Sequence, residues 1–338
     1  MQFSKTQQRL KAEGAKQLMG SLPKDRVNPA RVFEKVGLDY CGPFEVKQST
    51  VRRSIVSKGY VLVIVCFTTK AVHLEVVSDM TTEAFLAALK RFIARRGLPS
   101  DIYSDNAKTF KGAHNKLNDL YKLANSSDFQ NSVSNFTANK GIQFHFIPDY
   151  SPNHGGLWEA AVKSAKYHMK RIVGLKTYTY EQLSTIFTEI EAVLNSRPIT
   201  PMSQDPSDFS CLTPGHFIIG CPLTSYPCPD LTEIPINRLK FWRSCEQARQ
   251  HFWRAWSHDY LSSLHQRHKW QYEVNNIKEN MVVLLKHPST PPLQWPLGRI
   301  SKVYIGDDNK VRTVQIVTAD HKYHTRAVSK IVILPTEN

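Results

Sequence analysis

The chain has 338 residues, more than one ordinary domain needs, and 41% of them are hydrophobic, so at least one substantial core can form. Its 44 Lys and Arg against 29 Asp and Glu give a formal charge of +15, which favours a polyanionic partner over an acidic or neutral one. The start, Met1 to Leu10, is polar, no run of about 18 apolar residues occurs, and the six cysteines form no Cys-x-x-Cys pair. Those features argue against a secretory leader, a membrane span, a disulfide scaffold and a structural zinc site, and predict a reduced intracellular protein.

Residues 1 to about 30 are rich in Lys and Gln and broken by Pro23 and Pro29, as in an arm or linker. Arg31 to Asp39 predicts a strand, and the β-branched run Lys58 to Phe67 a central one. Val72-His-Leu-Glu-Val-Val77 alternates and should pair beside it. Thr81 or Thr82 can then cap a helix with Phe85, Leu86, Leu89, Phe92 and Ile93 on one face, ending at Gly97.

A short strand at 101–104, a helix at about 110–124, a fifth strand at 142–147 and helices at 157–173 and 180–195 follow. The fold class is α/β, with a mixed five-stranded sheet and flanking helices. Dense prolines from Pro198 to Pro235 predict an extended connector. The stretch from Pro235 to Pro288 lacks Gly and Pro, and Phe241, Cys245, Ala248, Phe252, Trp256 and Leu264 recur at helical spacing. Four apolar runs between Met281 and Leu334 predict a small β-barrel.

Three acids stand where apolar runs end or a helix begins: Asp39, Asp105 and Glu159. If the strand ending at Asp105 lies beside the strand carrying Asp39, their carboxylates meet, and Glu159 in a first helical turn can point back toward them. Hard carboxylate oxygens grouped in this way suit two Mg²⁺ or Mn²⁺ ions and in-line displacement at phosphorus. Lys163, Lys166 and Lys170 follow Glu159 along one helical face and would position phosphates. Each motif also has an ordinary use: Ser-Asp-Asn is turn chemistry, a first-turn Glu suits any helix, and a lysine stripe can be a solvated face.

Gly37-Leu-Asp-Tyr-Cys-Gly-Pro43, Tyr103-Ser-Asp-Asn-Ala-Lys-Thr-Phe110, Ser151-Pro-Asn-His-Gly-Gly-Leu-Trp-Glu-Ala-Ala-Val-Lys163, Leu194-Asn-Ser-Arg-Pro-Ile199 and Trp295-Pro-Leu-Gly-Arg-Ile300 together resemble the integrase region of a long terminal repeat retrotransposon polyprotein. The likeness is greatest to the BEL/Pao group. It implies a ribonuclease-H-like core, an Asp-Asp-Glu triad at Asp39, Asp105 and Glu159, and two Mg²⁺ or Mn²⁺ ions. By the same resemblance Lys163 and Lys166 would contact DNA, and Lys170 continues their basic stripe. The partners implied are element-end and target DNA and further copies of the chain, with nuclear action and no membrane.

Residues 1–30 would then be the arm, 31–200 the catalytic core, 201–277 a connector and long helical segment, and 278–338 the barrel. The chain departs from the pattern twice. Fifty-three residues separate Asp105 from Glu159, longer than is usual among integrases, as an insertion near 125–138 would explain. The zinc-binding His/Cys module expected upstream is missing, as in a truncated, degenerate or domesticated copy. A DNA-binding relic is therefore the rival expectation, while a two-carboxylate glycosidase fits the acids but not the basic charge.

Overall fold

The computed structural model describes residues 28–51, 53–105, 108–124, 141–146, 156–174, 176–203, 205–235, 238–264, 276–287 and 290–335; for Lys108, 119–124, 156–162 and Phe241 it describes the backbone alone. Most of the expected arm, the segment near 125–138, and Asn153 and His154 of the loop before Glu159 lie outside the described residues.

The first sheet holds Lys35–Lys47 (β1), Val56–Cys66 (β2), Val72–Val77 (β3), Asp101–Ser104 (β4), Gln143–Phe146 (β5) and the two-residue Tyr178–Thr179 (β6). Its order is β3-β2-β1-β4-β5, with β6 pairing β1. The hairpin β1-β2 and β3 are antiparallel, whereas β4 and β5 run parallel to β1, so the sheet is mixed as expected. β1 does not stop near Asp39. It runs on through Gly42 and a cis Gly42–Pro43 bond, with a register shift between Cys41 and Phe44. At φ 140° a side chain at residue 42 would be strained, and its Cβ would lie 2.9 Å from the Tyr60 ring.

The run in β2 is hydrophobic at every position because both faces are covered. Val61, Val63 and Val65 pack with buried residues of the helices Gly156–Val173 (α3), Tyr180–Asn195 (α4) and Phe241–Ser263 (α6). Leu62, Ile64 and Cys66 pack with Thr82–Arg96 (α1) and Lys108–Ala124 (α2). In α1 the Thr81 hydroxyl accepts from Ala84 N at 3.2 Å, and Phe85, Ala88, Leu89 and Phe92 form the buried stripe. Between α4 and α6 comes Pro214–Ile219 (α5), which with the two-residue strands Thr200–Pro201 (β7) and Cys211–Leu212 (β8) breaks up the expected extended connector.

β3 departs from its alternating pattern, because all six of its residues are buried, His73 and Glu75 included. The burial is compensated: His73 lies between Glu75 and Glu191, Glu75 meets Arg91 and Arg95, and Glu191 meets Arg96. Side chains also occupy the open edge of this strand. Asn195 both accepts from Val72 N and donates to Val72 O, Glu191 accepts from Leu74 N, and the Tyr180 hydroxyl donates to Val76 O. This gives the Leu194-Asn-Ser-Arg-Pro segment a structural explanation, since Arg197 also ties Leu194 O to Lys70 O.

The second sheet contains Val282–Leu285 (β9), Leu297–Ile305 (β10), Val311–Thr318 (β11), Tyr323–Ala327 (β12) and Ile331–Ile333 (β13), ordered β12-β11-β10-β9-β13 and antiparallel throughout. Where the sequence predicts a small β-barrel it forms a half-barrel, whose ends among the described residues are β12 and β13. α6 lies between the two sheets. Cys245, Ala248, Phe252, Trp253 and Trp256 are buried with the first core, and Trp253 and Trp256 meet Trp295 edge-on at 4.8 and 6.2 Å. Packing within the chain thus accounts for these aromatics, although Trp242 is exposed. Among the described residues no helix is long and apolar enough to cross a membrane.

Candidate functional site

The acids are best located by strand register. β1 and β4 are parallel, with Lys35 opposite Asp101, Val36 opposite Ile102 and Gly37 opposite Tyr103. The pairing ends there; carried two residues further along both segments, the same register would set Asp39 level with Asp105. Because side chains alternate, Gly37, Asp39 and Cys41 share one face of β1, and it is the face on which α3 lies. Asp105 is exposed just beyond the end of β4, where Ser104 Oγ donates to its carbonyl.

α3 is anchored by Ala165, Met169 and Val173, all buried in the first core. The Cys41 thiol lies 3.9 Å from the Lys166 carbonyl, which brings that turn of the helix against β1. From there Lys166 Nζ donates to Asp39 Oδ2, while Asp39 Oδ1 accepts from Tyr40 N at 2.7 Å. Lys163 and Lys170, one turn to either side, are exposed, so of the three lysines Lys166 is the one drawn into the acid site. Glu159 is the fourth residue of α3, two turns before Lys166, but its side chain lies outside the described residues.

The surroundings are less reactive than the acids. Burial pushes the Cys41 thiol up to about 11, which removes it as a nucleophile near neutral pH. Burial also drives the Tyr40 phenol up, and its ring stacks on Phe110 at 5.4 Å. One residue pair below the acids, Tyr103 stacks on His145 at 4.5 Å and on Phe67 at 4.7 Å, and His145 pairs with Asp101 at 2.7 Å. His145 was not legible from sequence, since a lone His in a short strand has no partner until β4 and β5 are aligned.

Two carboxylates from adjacent parallel strands are hard oxygen donors of the kind divalent Mg²⁺ or Mn²⁺ takes, and Asp39 Oδ2 already faces a cation in Lys166. By donor chemistry Asp39 and Asp105 suit such an ion, and Glu159 is on the adjoining helix. Among the described residues there is no group of three His, Cys, Asp or Glu side chains that could hold a metal, and the Glu159 carboxylate is not one of those described.

The basic residues of the second sheet divide. Arg299 is not a surface group: it is 4% exposed and donates to the carbonyls of Asn280, Asp205 and Asp208. Arg312 is held by Asp308 and Lys322 by Asp320. Lys302 is exposed over the Tyr304 ring at 5.5 Å, and Lys310 is exposed.

Residues 240–334, which span α6 and the second sheet, match a family described as "Family of unknown function (DUF5641)". No curated protein matches the chain. Among solved structures, the chain is similar to one in the cryo-EM structure of the simian T-cell lymphotropic virus intasome in complex with the PP2A regulatory subunit B56 gamma. That match has 11% identity and a TM-score of 0.28, over 95% of this chain and 85% of that one.

Proposed function

We propose that the chain is a metal-dependent polynucleotidyl transferase of the integrase type, with Asp39, Asp105 and Glu159 as its carboxylates and a ribonuclease-H-like core. The observation that supports this most is the parallel pairing of β1 with β4, whose register, continued by two residues, would set Asp39 beside Asp105 on the face against which α3 packs. No feature of either acid's own segment requires that coincidence.

In this reading the chain's residues hold DNA and two divalent ions, and make no covalent intermediate. When bound, the ions supply positive charge to the attacking and leaving oxygens. Water first attacks a phosphodiester near the 3′ end of the element DNA, the bond from phosphorus to the 3′ oxygen breaks, and a 3′-hydroxyl is freed. That hydroxyl then attacks a target phosphodiester, forming one ester as another breaks, so no external energy source is needed. Lys163, Lys166 and Lys170 would lie along the phosphates. Joining two ends to one target calls for more than one copy of the chain and for access to nuclear DNA.

The test is strand joining, and its reversal on a branched DNA, in Mg²⁺ and in Mn²⁺ with wild type and Glu159→Gln. Activity abolished by the substitution supports the assignment. A folded, DNA-binding wild type that neither joins nor reverses would instead support a DNA-binding relic.

A further inference from the structure

The ion pair between Lys166 and Asp39 has a role that phosphate binding alone does not explain. The geometry points to Lys166 as an exchangeable counter-ion: it neutralises Asp39 until a divalent cation displaces it, and the released ammonium then serves a DNA phosphate. The inference rests on the reading of Asp39 as a metal ligand.

Three observations carry it. Nζ is on Asp39 Oδ2, the oxygen not engaged by Tyr40 N, and therefore where a cation would be received. The pair is only partly screened, with 18% of the Lys166 and 29% of the Asp39 side chain exposed. The backbone of Lys166 is held against β1 through Cys41 and the buried stripe of α3, whereas its four-carbon stem has the rotatable bonds through which the ammonium can change partner. A divalent cation on the Oδ2 lone pair that the ammonium now holds displaces it, and on the neighbouring lone pair it repels it, so metal binding weakens the ion pair. A phosphate that draws the ammonium away lowers the cost of that step. Metal and DNA thus favour each other through one side chain, and linkage makes the effect reciprocal.

The test is Mn²⁺ binding to the full chain, followed by electron paramagnetic resonance of the free ion, with and without a short DNA duplex. Without DNA, Lys166→Met should bind Mn²⁺ roughly five-fold more tightly than wild type, the scale of losing one partly exposed ion pair. Arg171→Gln removes a charge from the same helix without touching Asp39 and should change the affinity less than about two-fold. DNA should tighten Mn²⁺ binding to wild type, and this gain should shrink in Lys166→Met.

The inference fails if Lys166→Met binds Mn²⁺ no more tightly than wild type or Arg171→Gln, or if the full gain from DNA survives in Lys166→Met. Lys166→Gln gives a second polar variant if Lys166→Met does not fold. Asp39→Asn separates the two levels. Mn²⁺ binding that ignores Asp39→Asn overturns the metal-site reading itself, whereas binding that needs Asp39 but ignores Lys166 overturns only the exchange.

Discussion

The two sheets of this chain solve the same problem in opposite ways. The first is covered on both faces, and even its edge strand β3 is wholly buried. The second buries Ile300, Val314 and Ile316 but leaves Lys302, Tyr304, Tyr323 and Thr325 exposed. Double coverage fixes β1, β4 and α3 relative to one another, which is what carboxylates from separate segments need if they are to act together. The exposure of the second sheet is concentrated in β10–β12, since β9 and β13 contribute buried residues on both of its faces.

The largest test of this contrast is functional. Asp105→Asn should reduce strand joining to below about 1% of wild type while the fold and DNA affinity persist, as expected of groups that hold the reacting metals. Lys302→Ala should change joining only through DNA affinity and recover as DNA is raised. Full activity in Asp105→Asn, measured by single-turnover joining, would remove that residue from the triad.

Stability gives the next largest difference. Phe252→Ala, in the fully buried stripe of α6, should cost about 3–5 kcal/mol in urea denaturation. Tyr323→Ser, on the exposed face of the second sheet, should stay within about 0.5 kcal/mol. Equal losses would mean that the two sheets are not covered differently in solution.

The buried charges near α4 predict a pH dependence with a definite sign. Burial raises the Glu189 carboxyl to about 7, with Arg249 opposing and Glu246 adding to the shift. Its proton is bound more tightly in the folded chain, so its contribution is lost as pH rises from the unfolded carboxyl range through about 7. For His73, burial favours the neutral ring, but the hydrogen bonds to Glu191 and Glu75 outweigh it and raise the pKa. Its contribution is complete below the unfolded histidine pKa and is lost as pH rises through the folded value. Stability measured across neutral pH should therefore fall with rising pH, and Glu189→Gln should flatten the acidic part of that slope. The smallest effect is in the second sheet: Asp308, held at about 2 chiefly by Arg312, is fully exposed, and Asp308→Asn should leave the melting temperature unchanged.

Sequence legibility followed the same division. Residues 60–66 announced a doubly covered strand, because an unbroken hydrophobic run reports burial directly. The alternation of β3 misled, since His73 and Glu75 read as solvent-facing until Arg91, Arg95 and Arg96 fold back from the next helix and Glu191 arrives from the distant α4. The burial of Arg299 is equally invisible locally, because two of its acceptors are the carbonyls of Asp205 and Asp208, far away in the chain. At the site, the acids could be picked out by local context, but their alignment depends on the β1–β4 register and the Lys166 contact on helix packing. Neither is written in any one segment.

The side chains that occupy the outer edge of β3 bear on how copies of this chain can assemble. With Val72 N, Leu74 N and Val76 O already taken by Asn195, Glu191 and Tyr180, no foreign strand can extend the sheet there without first dislodging α4. On that flank, contact between copies has to be made by helical surfaces meeting face to face. The symmetry of an assembly built there would follow from how helices cross, with no continuous ribbon of hydrogen bonds running from one copy into the next.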